Sequence, residues 1–144
     1  MKKLLALVVA LASVSSMALA GDLSAVGTFS GSTMTHGLRL GLGGNLSVQV
    51  NVGPLLGATG ATAVGQGFVG YDVKTSADSA CTLWAGVNVS NTGSTMTNTI
   101  LLNASHEVWL NKKLAIGVLG NVVSMSGSTT TLFNGSSVYA VVAL

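Results

Sequence analysis

The chain has 144 residues, with six Lys or Arg against four Asp or Glu and a formal net charge of +2. That length suits one domain, and a single cysteine excludes both an intrachain disulfide framework and a Cys-ligated zinc site. Charged residues make up 7% of the chain, where a soluble domain carries about a quarter, so no basic surface for nucleic acid is available.

Lys2 and Lys3 precede the apolar run Leu4 to Ala12, a weakly polar Ser13 to Ser16, and the small-x-small triplet Ala18-Leu19-Ala20. Basic, apolar and small-residue parts in that order predict a cleaved secretory signal over residues 1–20. The stretch Leu4 to Leu19 is interrupted by serines and falls short of the roughly 20 apolar residues of a spanning helix. Gly21 follows the cut, not the cysteine of a lipoprotein. Removing 20 of the 144 residues leaves 124, a single domain over residues 21–144. In it Arg39, Lys74, Lys112 and Lys113 balance Asp22, Asp72, Asp78 and Glu107, so the apparent basicity belongs to the signal. Sec-type export out of the cytoplasm is expected, with the periplasm or the medium as the alternative to a membrane destination.

After the signal the dominant pattern is a two-residue alternation, the mark of strands with one apolar face. It predicts strands at 23–29, 37–43, 45–52, 63–74, 80–90, 98–110, 113–125 and 137–144. The clearest is Asn45 to Gly53, where Leu46, Val48, Val50 and Val52 share one face and Asn45, Ser47, Gln49 and Asn51 the other. Leu38, Leu40 and Leu42 alternate with Arg39, Gly41 and Gly43 in the same way. The connections at 30–36, 53–62, 91–97 and 126–136 read as longer than those at 44, 75–79 and 111–112. In an up-and-down antiparallel arrangement the longer ones collect at one end.

In these features the chain resembles the small eight-stranded outer-membrane barrels of the OmpX-like and OmpA-like type. The resemblance implies an all-β fold, an eight-stranded antiparallel up-and-down transmembrane β-barrel, with outer-membrane lipid as its partner. The chain departs from that pattern in ending on Leu144 instead of an aromatic residue. It also has few outward aromatics, Phe29 and Tyr71, with Phe68, Trp84 and Trp109 reading as inward.

Charges inside such a barrel need partners. The inward set is Arg39, Gln49, Gln66, Asp72, Lys74, Asn88, Glu107 and Asn121, joined by Asn51 and Asn103, with Glu107 and Lys74 near the lower end. It reads as a polar plug, because eight strands leave an interior just wide enough for side chains. Gly31-Ser32-Thr33-Met34-Thr35 recurs as Gly93-Ser94-Thr95-Met96-Thr97, and Gly127-Ser128-Thr129-Thr130-Thr131 is a variant. These place Ser32, Thr33, Met34, Thr35, Ser94, Thr95, Met96, Thr97, Thr129 and Thr130 in outer loops. They serve there either as turn chemistry or as a rim that recognises an extracellular surface or ligand.

Catalytic constellations are weak. Gly65 to Gly70 matches G-x-G-x-x-G, but the strand continues through Tyr71 to Lys74 where a dinucleotide site needs a helix. His36 lies near Ser30 and Ser32, but every acid maps to the opposite end, so no triad forms. His106 and Cys81 read as outward, and no catalytic, cofactor or metal residues are assigned. The expected role is structural or surface-interacting, without catalysis or a wide pore. The alternatives are a soluble secreted barrel holding a small apolar ligand, and a surface fibre subunit. The exported protein should begin at Gly21. Intact mass and N-terminal sequencing of the cell-envelope protein read this directly, and a retained Met1 would mark an uncleaved anchor.

Overall fold

The computed structural model describes residues 22–30, 33–53, 63–92 and 95–144. The expected signal, together with Ser32 and Ser94, lies outside them. The strands are β1 (Leu23–Ser30), β2 (Thr33–Gly43), β3 (Leu46–Gly53), β4 (Ala63–Thr75), β5 (Ser79–Thr92), β6 (Thr95–Trp109), β7 (Leu114–Ser126), β8 (Thr129–Leu132) and β9 (Ser136–Ala143). From β1 to β7 each strand pairs antiparallel with the next, and β9 pairs with both β7 and β1, which closes the sheet.

β8 and β9 follow one another along the same edge of β7, Leu132 opposite Val123 and Ser136 opposite Gly120. The Phe133 amide donates to the Val122 carbonyl (3.0 Å) and the Asn121 amide to the Gly135 carbonyl (3.1 Å). The two strands are therefore one wall position, broken where Phe133 (φ 51°) and Gly135 (φ 90°) turn left-handed. The result is a closed antiparallel barrel of eight wall positions. The sequence reads 126–136 as a connection, yet Thr129–Leu132 pairs with β7.

The faces of the strands are inverted relative to a soluble protein. Leu38, Val52, Val69, Val87, Ile100, Val118 and Val138 stand exposed on the outside. Ser24, Ser47, Gln49, Asn51, Thr82, Asn103, Ser105 and Glu107 are buried inside. A soluble barrel with an apolar interior needs the opposite arrangement. A stacking fibre subunit needs open strand edges, which closure removes along the full-length strands.

Three of the four expected long connections are corrected. Ser30 pairs with Thr33, Thr92 with Thr95 and Ser126 with Thr129, so two residues separate the strands at each place. Thr33, Met34, Thr35, Thr95, Met96, Thr97, Thr129 and Thr130 thus lie in strands and not in loops. The reason is that backbone pairing continues past the end of the apolar alternation, and threonine favours extended backbone. At the one such turn that is described, Gly127 has φ 59°, the first central position of a type II′ hairpin turn. His36, expected in a loop, also lies in β2, opposite Gly27 and Val52. The opposite end is closed by Gly44–Asn45, by residues 76–78, and by 110–113, where Asn111 Oδ1 accepts from the amides of Lys113 (2.8 Å) and Leu114 (3.0 Å).

Large inward rings are accommodated by glycines directly across the ladder. Trp84 lies over Gly70, Phe68 over Gly86 and Tyr139 over Gly117. A Cβ at Gly70 would meet the Trp84 ring, so Gly70→Val should cost about 1–3 kcal/mol. Gly65 has open space around its Cβ position, and Gly65→Val should not destabilise. Urea unfolding of the detergent-refolded barrel, followed by tryptophan fluorescence, separates the two outcomes.

Candidate functional site

The lumen has two levels. The lower is built around Arg39 on β2 and Glu107 on β6, which are four wall positions apart in a ring of eight and so face each other across the barrel. Arg39 Nη1 lies 2.7 Å from Glu107 Oε2, with side chains 12% and 6% exposed. Arg39 Nε donates to Gln49 Oε1 (2.9 Å), and the Tyr139 hydroxyl donates to the same Glu107 oxygen (3.0 Å). The guanidinium also lies over two rings, 4.9 Å from the Trp84 centroid and 5.5 Å from that of Tyr139. Trp84 Nε1 donates in turn to Ser105 Oγ (2.8 Å). A void of about 10 Å³ remains among Arg39, Phe68, Trp84 and Tyr139, the size of a single water site. At this level side chains fill the lumen.

The partner of Glu107 is therefore Arg39. Between Asp72 and Lys74 the register of β4 on β5 shifts, which sets Lys74 opposite Cys81. Asp72 instead accepts from the Thr82 hydroxyl (2.6 Å). A bulge of this kind leaves no trace in residue-type alternation.

The upper level is a relay of amides. Gln49 Nε2 donates to Asn51 Oδ1 (3.1 Å), Asn51 Nδ2 to Gln66 Oε1 (3.1 Å), and Gln66 Nε2 to Asn88 Oδ1 (3.2 Å), crossing β3, β4 and β5. From the other wall Asn121 Nδ2 donates to Asn103 Oδ1 (2.9 Å). Above Phe68 these groups, together with Val64, Leu101 and Leu119, line a cavity of about 320 Å³ that reaches Ser30, Thr35 and Ser136 at the rim.

The remaining sequence-predicted residues are dispersed. Thr35, expected on the outer surface, is buried on the inner face and lines this cavity. Met96, Thr129 and Thr130 are exposed at the strand tips, as are Thr95 and Thr97, while Met34 is half-buried. Cys81 Sγ lies 3.1 Å from His106 Nδ1, a cross-strand pair near the lower end. Gly65 to Gly70 runs wholly within β4. The reading of inward residues did not single out Tyr139, Ser105 or Thr82. Tyr139 sits in an almost uniformly apolar tail, Val138 to Leu144, where alternation carries no polar contrast.

Arg39→Ala leaves Glu107 buried without its counter-charge and should cost about 3–5 kcal/mol. Adding Glu107→Leu should recover a large part of that loss, measured as a positive coupling in a double-mutant cycle of urea unfolding.

The chain matches no protein-family model, and it matches no curated protein sequence. Among solved structures it is similar to the solution NMR structure of TMB2.3, a de novo designed transmembrane β-barrel. The TM-score is 0.57 at 15% identity, over 85% of this chain and 92% of the designed one. At that identity the likeness is one of fold: an all-β, closed, eight-stranded antiparallel barrel.

Proposed function

We propose that the chain is a small bacterial outer-membrane β-barrel of the OmpX-like and OmpA-like type, exported by residues 1–20 and held in lipid by its outer face. The observation that carries this reading is the inversion of its faces. Leucine, valine and isoleucine stand exposed outside, while an ion pair and a set of amides occupy the interior. Water penalises such an exterior, and hydrocarbon does not. Closure supports the same reading, since lipid offers no partners for free strand edges. The structural likeness to a designed transmembrane barrel is consistent with it.

In this reading the lower end, which carries Asp22, Asp78, Lys112, Lys113 and both described chain ends, faces the periplasm. The Ser- and Thr-rich rim faces outward. The role in this reading is structural or surface-interacting, and the packing around Arg39 leaves no wide passage through the lumen.

Membrane-fraction protein run in SDS with and without boiling tests this. A closed barrel in the outer-membrane fraction should migrate at a different position until heated. A soluble protein with no heat-dependent shift would overturn the membrane reading. In planar bilayers the folded protein should show none of the steady large-conductance steps of a wide pore.

A further inference from the structure

Closure leaves one strand with a bare edge. β8 pairs with β7 on one side, and among the described residues no strand pairs with its other side. The closing ladder of β1 with β9 ends at Phe29 opposite Val138, short of β8. All four residues from Thr129 to Leu132 are exposed. The phase of the β7–β8 ladder fixes which backbone groups are free. Ser126 and Thr129 flank a two-residue turn and so exchange hydrogen bonds, and further along the Phe133 amide donates to the Val122 carbonyl (3.0 Å). Alternation between these points turns the backbone groups of Thr131 toward β7 and those of Thr130 and Leu132 away from it. A row of N–H and C=O groups at strand spacing fits one kind of partner, the backbone of another extended chain.

Edge strands are ordinarily guarded by charge, by proline or by a bulge. β8 has none of these guards: Leu114 to Leu144 holds no charged residue and no Pro, and the β7–β8 register runs without a shift. The edge suits a copy of itself. Antiparallel pairing centred on Thr131 sets Thr130 of each copy opposite Leu132 of the other, so every free N–H meets a free C=O. Thr131 then faces its own counterpart, a favourable cross-strand pair. Leu132, 62% exposed, gains cover from the Thr130 methyl group of the other copy. No like charge opposes the contact, and no charge selects a different partner. We propose that β8 is a homotypic docking edge, through which a second copy of this chain pairs antiparallel about a two-fold axis. That axis is perpendicular to the sheet, so it inverts the barrel axis and the copies meet rim to rim. Copies side by side in one membrane keep the same strand direction along the membrane normal, so their tilted edges cross and do not pair. The inference rests on the reading above, in which the rim faces outside the cell; the contact then joins two facing membranes. Phe133, at φ 51°, ends the strand and keeps each contact short, so many copies act together by avidity.

The test is cross-linking between single barrels in separate lipid nanodiscs, where copies can meet only from different membranes. Cys81→Ser removes the native thiol, and Thr131→Cys then supplies one at the centre of the proposed contact. Thr97→Cys in the same background is the control, an equally exposed strand-tip position on β6. Thr131 and its counterpart form a non-hydrogen-bonded pair with Cα atoms about 4.5 Å apart, within reach of a disulfide. On oxidation with diamide, Thr131→Cys should give about tenfold more dimer than the control. Adding Thr130→Pro removes a free N–H while sparing the β7–β8 ladder, since an edge strand tolerates proline where the N–H faces away. It should keep the boiled/unboiled gel shift and cut the dimer yield about tenfold. The pairing is overturned if Thr131→Cys gives no more dimer than Thr97→Cys, or if Thr130→Pro leaves the yield unchanged. Dimers that form in detergent micelles but not between nanodiscs overturn the rim-to-rim arrangement. A parent without the gel shift would sink the membrane reading, and with it the joining of two membranes; a shifted parent without dimers sinks the pairing alone.

Discussion

The contact between Arg39 and Glu107 spans the barrel and ties its two opposite walls together. A buried ion pair is a poor source of net stability, because removing two charges from water costs about as much as their attraction returns. Here the cost is offset by surroundings that complete each ion. The guanidinium donates to Gln49 and lies over Trp84 and Tyr139, while Glu107 also accepts from the Tyr139 hydroxyl. What the pair supplies is register. A slip of one residue in β2 would bring Leu38 or Leu40 inside and turn Arg39 outward, and a slip in β6 would do the same with His106 or Val108 for Glu107. With apolar side chains on the outside, a charge carried to that face has no partner, so the pair excludes the neighbouring registers.

The rest of the interior is ordered around that contact. Below and beside it, aromatic rings rest on glycines across the ladder, which lets bulky groups fill a narrow lumen without pushing the strands apart. Above it the side chains become amides and hydroxyls, with Asn51, Gln66 and Asn88 linked across β3, β4 and β5 and Asn121 linked to Asn103. Formal charge is thus confined to the middle and the lower end, and the upper half of the molecule is polar but neutral. The gradient sets an open cavity above a lumen filled by side chains.

Much of this architecture was legible in the sequence because a strand with two unlike faces writes itself as alternation. Asn45 to Gly53 identifies both the strand and the face that Gln49 and Asn51 occupy. The inward positions of Arg39, Phe68, Trp84 and Glu107 follow from the same rule. It failed where alternation has no contrast or where the backbone breaks step. Polar Ser and Thr at the strand tips look like loops, although the backbone pairs regardless of side chain. The bulge beyond Asp72 changes the register of Lys74 without a change in residue type, and the short strand Thr129–Leu132 lies in a stretch that reads as a connection. The upper cavity was hidden for another reason. Thr35 and Asn121 are distant in sequence and become neighbours of one cavity only when the sheet closes.

Closure also has a temporal meaning. Every pairing from β1 through β7 joins neighbours in sequence. The seam between β1 and β9 is different, since it joins Ser24 to Ala143 and is extended by the Leu144 amide donating to the Leu23 carbonyl (3.0 Å). A chain emerging from its amino end can build a growing sheet but cannot shut it until its last residues arrive. The final strand therefore acts as a clasp, and its absence leaves an open sheet with two sticky margins. Because both ends meet in that clasp, the molecule is in effect a ring of hairpins cut at one point. Its order around the wall does not depend on where the cut was made.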